Sequence, residues 1–167
     1  MRPTHHEPDQ QTSSRFKPSD ETIAWRVDVA ASLHCGLLFH VPDQTDVSAS
    51  ELAGIFRTII MEEFGEAAAD WKVDLESATA INVRASEKRI VIPEGRANMT
   101  RDVVRGLVVH EMGVHALRAI MGGETDLPTL STGLVGYYDS EEGLGVVMEQ
   151  AIKGKFIESG VAHYLTA

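Results

Sequence analysis

The sequence predicts one domain of the α+β class, in which a small antiparallel sheet packs against several helices. Three segments show the 3.6-residue hydrophobic period of helices, and a block between the first two shows the two-residue alternation of strands. With 167 residues, 43% of them hydrophobic, the chain is long enough for one core that buries roughly two-thirds of the unfolded surface. We therefore expect a single domain over residues 21–167.

The first 20 residues are predicted to form a disordered arm in front of this domain. They are polar, contain Pro3, Pro8 and Pro18, and offer almost no apolar side chains for burial. Residues 22–42 mix alternating and clustered apolar positions, so their secondary structure stays open.

The first helix is predicted at about residues 49–64. Ser48 and Glu51 have the spacing of a capping box, in which each side chain satisfies a backbone N–H group of the other residue. The apolar residues that follow repeat on one helical face, namely Leu52, Ile55, Phe56, Ile59 and Ile60.

Three strands are predicted after this helix. Apolar residues alternate with polar ones around Val73 and again around Val83, and a third apolar run ends at Pro93. Because the connections between these runs are short, we expect an antiparallel meander of three strands.

Two further helices are predicted in the second half of the chain. Thr100 is a plausible N-cap for a helix that ends at Gly122 and Gly123. Residues 124–139 are predicted to form a loop, and Ser140 is predicted to cap a last helix from Glu141 to about residue 155.

Charge and composition narrow the classes of function. The chain has 15 basic and 25 acidic residues and a formal net charge of -10, so we expect no nucleic-acid partner and no anionic membrane ligand. Cys35 is the single cysteine, and no apolar run has the length of a signal peptide or of a membrane span. A cytoplasmic location is therefore expected.

The most informative segment is GLVVHEMGVHAL, residues 106–117, in which the only polar side chains are His110, Glu111 and His115. Polar groups in so apolar a helix need a shared partner, and two imidazoles beside a carboxylate are similar to the zinc-binding His-Glu-x-x-His motif. His115 follows His110 by five residues, which places the two about 140° apart on a regular helix. We therefore predict a π-bulge around residues 112–114.

Alternatives remain open at this point. Glu111 and His115 are four residues apart and could form an ordinary helical pair, with His110 as a hydrogen-bonded core histidine. Zinc would need a third protein ligand, for which Glu142 is the candidate, and Glu149 lies seven residues further on the same helical face. The acidic residues near Glu142 could instead only favour the helix dipole.

These motifs resemble a known family. LVVHEMGVHALRAIMGG and GLVGYYDSEEGLG are similar to the bacterial QEGLA-motif proteins and their relatives, the microtubule-associated tyrosine carboxypeptidases, over residues 48–150. The family pattern is His-Glu-x-x-x-His followed by Glu-Gly-Leu-Ala. The sequence departs from it at Glu141, where glutamine is usual, and at Gly145, where alanine is usual.

The resemblance implies a zinc metallopeptidase of zincin-like architecture, in which His110, His115 and Glu142 hold Zn²⁺ and Glu111 is the general base. Relatives are usually much longer, so the microtubule substrate is not carried over, and a peptide or protein substrate of unspecified sequence is expected. The oligomeric state and the choice between endo and exo cleavage stay open. A metal-stabilised binding module without turnover is the alternative function, and a metal-free interaction domain is a third.

Other candidate roles follow from the chemistry of such a site. Tyr138, or its neighbour Tyr137, is the candidate donor to the oxyanion of the tetrahedral intermediate, and Glu149 is the candidate partner that orients a liganding histidine. The strand 89–93 is a candidate edge for an extended peptide. Arg118 and Arg96 are candidate cations for a substrate carboxylate, although a structural ion pair is the simpler expectation for each.

Overall fold

The computed structural model describes residues 36–44 and 46–153. The predicted N-terminal arm and the C-terminal tail lie outside these residues, as does most of the ambiguous segment 22–42, of which residues 36–39 are helical. No helix in the described part is long and apolar enough to span a membrane.

Helix α1, Ala49–Ile59, confirms the first predicted helix. The Ser48 side chain accepts from the Glu51 backbone N–H at 3.2 Å, and Glu51 accepts from the Ser48 backbone N–H at 2.8 Å, so both halves of the capping box are present. The helix continues as a π-helical turn, Ile60–Phe64, and a 3₁₀ turn, Gly65–Ala68. Its predicted apolar face is buried.

The three predicted strands exist, but the antiparallel meander is wrong. Strands β1, Lys72–Glu76, and β2, Asn82–Arg84, flank β3, Arg89–Pro93, in the order β1-β3-β2. β1 pairs with β3 in parallel, and only β2 and β3 are antiparallel. The burial pattern explains the order, since β3 is apolar and buried on both faces whereas β1 and β2 each keep exposed positions.

The central place of β3 also overturns the prediction that strand 89–93 offers a free edge to a substrate peptide. Both of its sides are hydrogen-bonded to neighbouring strands. Within the described part of the chain, the sheet edges belong to β1 and β2. An extended peptide could add itself only there.

The motif helix runs without a break over residues 101–123, as α2, Arg101–Leu107, a π-helical segment, Val108–Ala116, and α3, Leu117–Gly123. Thr100 caps its start, as predicted. An antiparallel bridge between Val47 and Met99 ties its beginning to the beginning of α1.

The segment predicted as a loop after the motif helix contains a short helix, α4, Pro128–Thr132. The last helix, α5, is Tyr137–Lys153 within the described residues, so it begins before Ser140 and the prediction that Ser140 is its N-cap is wrong. Gly133 and Gly136 have φ angles of 83° and 82°, a conformation that glycine adopts without strain. These two glycines, rather than a polar cap, separate α4 from α5.

The core lies between α1, the sheet and the motif helix. Its largest fully buried side chains come from all three, and they include Leu52, Phe56, Ile59, Ile90, Ile92, Val104, Val108, Met112 and Ile120. Helix α5 packs on the opposite side of the π-helical segment, where Val109, Val114 and Met148 form a smaller apolar cluster. His110 and His115 of this segment contact Glu142 of α5.

Candidate metal centre

The π-helical segment brings the two motif histidines together. In a π-helix the hydrogen bonds join residues five apart, so positions i and i+5 lie on one side of the helix. The imidazole rings of His110 and His115 have centroids 5.0 Å apart. The predicted bulge is thus confirmed, although the π-helical segment is longer and covers Val108–Ala116.

Helix α5 places Glu142 between the two histidines. The Nε2 atom of His115 is 3.2 Å from Glu142 Oε1, and the Nε2 atom of His110 is 3.3 Å from Glu142 Oε2. One ligand atom from each of the three residues lies within 4.8 Å of the others, which makes them a group that could hold a metal ion. The structure therefore assembles the three predicted ligands.

The other ring nitrogen of each histidine contacts a second carboxylate. His110 Nδ1 is 2.7 Å from Glu149 Oε1, the contact expected for Glu149, and His115 Nδ1 is 2.9 Å from Glu141 Oε2. Both histidines thus direct Nε2 towards Glu142 while a carboxylate holds Nδ1. This is the arrangement in which metal-ligating histidines are commonly found.

These contacts shift the pKa values of the groups involved. Burial disfavours the charged form of His110, but the hydrogen bond to Glu149 and the nearby carboxylates outweigh it and raise the pKa of His110. The same hydrogen bond, with help from Lys153 at 2.9 Å, lowers the pKa of Glu149 to about 2. Burial raises the pKa of Glu111, although the two histidines oppose the shift.

The sequence profile of the microtubule-associated tyrosine carboxypeptidase family matches residues 7–157, about nine tenths of the chain. The chain belongs to this family. No curated protein and no solved structure matches it. The match extends beyond the residues 48–150 that carry the sequence resemblance, and it includes part of the predicted N-terminal arm.

In this member of the tyrosine carboxypeptidase family, the donor set suits zinc. Two imidazole nitrogens and one carboxylate oxygen are a common set of protein ligands for catalytic zinc, with the fourth position left to water or substrate. The alternative in which Glu111 and His115 pair along the helix is not supported. The two ring nitrogens of His115 contact Glu141 and Glu142 instead.

Glu111 is the neighbour of His110 on the motif helix and is half-buried. It is not one of the three residues that converge on the candidate metal position. Its carboxylate lies close enough to His110, His115 and Glu142 for their charges to affect its pKa. This placement leaves Glu111 beside the site and available for a role other than ligation.

The two tyrosines of the family segment differ in their surroundings. The Tyr137 ring lies below the guanidinium of Arg118, whose Cζ atom is 4.8 Å from the ring centroid. Tyr138 is 60% exposed and precedes Glu142 by one turn, so both lie on the same face of α5.

The candidate cations for a substrate carboxylate have other partners. Arg118 forms an ion pair with Glu141 and donates to backbone carbonyls of α4, so the structural expectation for it holds. Arg96 donates through Nε to the sulfur of Met99 at 3.1 Å. Neither contact indicates a carboxylate subsite.

Sequence reasoning missed two features of the site. It gave Glu141 no role in the site and offered the helix dipole as one alternative for the acidic residues there, yet this side chain is only 9% exposed and contacts His115 and Arg118. It also treated Gly145 only as a departure from the family pattern. A Cβ atom on Gly145 would lie 2.5 Å from His110 Nε2, so the missing side chain allows α5 to approach the imidazole.

Proposed function

We propose that the chain is a zinc-dependent peptidase that hydrolyses a peptide bond with metal-activated water, and that it acts as a carboxypeptidase. The observation that carries this proposal is the convergence of His110 Nε2 and His115 Nε2 on the Glu142 carboxylate. Membership of a carboxypeptidase family supports it independently. The zincin-like architecture implied by the sequence resemblance belongs to the same proposal.

His110, His115 and Glu142 would hold the zinc ion. When bound, zinc lowers the pKa of water to about 7 and polarises the scissile carbonyl, so hydrolysis needs no covalent nucleophile. Glu149 and Glu141 contact Nδ1 of His110 and His115, so that Nε2 of each ring faces Glu142, where the ion would be held. The protein thereby fixes the ligands before substrate arrives.

Glu111 is the general base of the proposed reaction. It takes a proton from the attacking water and returns it to the leaving amine when the carbon–nitrogen bond breaks. Burial raises the pKa of Glu111, and a raised pKa favours a carboxyl group that must both accept and donate a proton.

Tyr138 is the proposed donor to the oxyanion. Its exposed side chain and its position one turn before Glu142 support this assignment, because a donor must reach the oxygen that becomes negative in the tetrahedral intermediate. The ring of Tyr137 lies against the guanidinium of Arg118.

The proposed substrate is a peptide or protein chain, and the geometry of the site does not specify its sequence. The formal charge of -10 disfavours an acidic tail as the ligand. We also propose a cytoplasmic location and no nucleic-acid or membrane partner, as the composition predicts. Hydrolysis of peptides blocked or free at the C-terminus would decide between endo and exo cleavage.

Metal content is the first test of the proposal. The parent, purified without added metal, should contain about one zinc per chain, because three protein ligands suffice for a catalytic site. His115→Ala and Glu142→Ala should lose it. His40→Ala is the matched control, since His40 is a largely buried histidine that contacts Glu63 away from the site. A parent that binds no zinc, even when zinc is offered, would overturn the proposal.

Glu111→Gln tests catalysis separately from metal binding. The variant should keep its zinc and its melting temperature but lose hydrolysis of a peptide library, because the amide cannot take up the proton. Hydrolysis at the parent rate would show that Glu111 is not the base. A zinc-loaded parent that cleaves no peptide would instead favour the metal-stabilised binding module.

A further inference from the structure

We infer that Glu141, anchored by Arg118, is a positioning residue that fixes the ring orientation and tautomer of His115. The inference rests on the proposed metal site and adds to it a connection between His115 and the short helix α4. It concerns a side chain outside the group of three that could hold the metal.

Glu141 forms a hydrogen bond with His115. Its Oε2 atom accepts from His115 Nδ1 at 2.9 Å, and the side chain of Glu141 is only 9% exposed. When Nδ1 carries the donated proton, Nε2 keeps its lone pair, and this is the nitrogen that faces Glu142 at 3.2 Å. The carboxylate therefore selects the tautomer that can bind a metal.

Arg118 holds the Glu141 carboxylate through contacts with both of its oxygens. Its Nε atom donates to Glu141 Oε1, and its Nη2 atom lies 3.4 Å from Glu141 Oε2. A nearly buried carboxylate is costly unless a cation or hydrogen bonds compensate it. The guanidinium supplies both, and it fixes the two Glu141 oxygens in one orientation.

Arg118 is itself held from a different part of the fold. Its Nη1 atom donates to the backbone carbonyl of Ser131 and lies 3.4 Å from the carbonyl oxygen of Leu130, both in α4. Its guanidinium also stacks on the Tyr137 ring. The position of His115 is thus linked through Glu141 and Arg118 to α4 and to the start of α5.

The test is zinc affinity measured by competition with a chelator, together with the visible spectrum of the Co²⁺-substituted protein. Glu141→Ala should weaken zinc binding about 10- to 100-fold and change the Co²⁺ spectrum, which reports ligand geometry. Glu141→Gln should recover most of the affinity, because its amide oxygen can still accept from Nδ1. Glu63→Ala is the matched control, since Glu63 contacts His40 at 2.8 Å outside the site.

Arg118→Lys provides a second variant in case Glu141→Ala does not fold. Lysine keeps the charge but cannot contact Glu141 and the α4 carbonyls together, so zinc affinity should fall several-fold. A folded Glu141→Ala or Arg118→Lys protein with the parent's affinity and spectrum would overturn the inference. Equal losses in Glu141→Gln and Glu141→Ala would overturn it too.

The two proposals can fail separately. A parent that binds zinc but cleaves no peptide would overturn the proposed hydrolysis, while the Glu141 variants would still decide the positioning role. A parent that binds no zinc would overturn both.

Discussion

Helix α5 comes close to the imidazole of His110 at Gly145, and Gly145→Ala tests whether this approach sets the position of His110. The new Cβ would lie 2.5 Å from His110 Nε2 and 2.6 Å from Cδ2. Ordinary contacts between such atoms are about 3.5–4.0 Å. The imidazole or the helix must therefore move by about 1 Å to admit the methyl group.

A displacement of this size should mainly weaken zinc binding. A binding site must hold its groups within about 0.5 Å of the productive geometry, so we expect zinc affinity to fall about 100-fold, or roughly 2.8 kcal/mol. The fold should survive, because the overpacking cost of about 1–3 kcal/mol is partly offset by the gain of about 1 kcal/mol when alanine replaces glycine in a helix.

The assay is chelator competition for zinc, with urea denaturation of the metal-free protein alongside it. Gly54→Ala is the control, because Gly54 lies inside α1 and no atom is within 4 Å of its added Cβ. That variant should gain stability and keep the parent's affinity. If Gly145→Ala binds zinc within twofold of the parent, the close approach of α5 does not set the position of His110.

Three further expectations concern the fold. Ser48→Ala should lower the free energy of unfolding by about 1 kcal/mol, because it removes the N-cap of α1. Urea denaturation measures this change, and an unchanged urea midpoint would contradict the expectation. Hydrogen bonds from Ser48 lower the pKa of Glu51 below its ordinary value of 4.5. The contribution of ionised Glu51 to stability is therefore present above pH 4.5, and it is lost as the pH falls through the lower pKa that Glu51 has in the folded state. Stability from pH 7 to 3 should fall less in Glu51→Gln than in the parent, and equal slopes would refute the linkage. Ile90→Ala at a fully buried position of β3 should lower the free energy of unfolding by about 2–5 kcal/mol. Val103→Ala, at a 38% exposed position, should change it by under about 0.5 kcal/mol, and similar costs for the two would contradict the burial of β3.

The elements that local chemistry controls could be predicted well. Helix α1 depends on the Ser48–Glu51 capping box and on a regular apolar face, both of which lie within a few residues of each other. The start of the motif helix at Thr100 is equally local. The π-helical segment could be predicted because the spacing of His110 and His115 demands it if both are to reach one ion.

Strand pairing could not be read from the connections alone. The run Ile90–Ile92 is apolar at consecutive positions, which is typical of a strand buried on both faces. This pattern, rather than the short connections, indicates the central strand, and it accounts for the observed order β1-β3-β2.

The sequence by itself determined the three candidate ligands, the Ser48–Glu51 capping box, the Thr100 cap and the irregular helical turn, because each depends on residue type and local spacing. Only the tertiary structure decided that Glu141 contacts His115, that Arg118 links Glu141 to α4, and that Gly145 lies against His110. Adjacent residues on a helix point about 100° apart. Which of Glu141 and Glu142 faces which histidine therefore depends on how α5 is rotated and docked on the motif helix, and this follows from packing between elements distant in sequence.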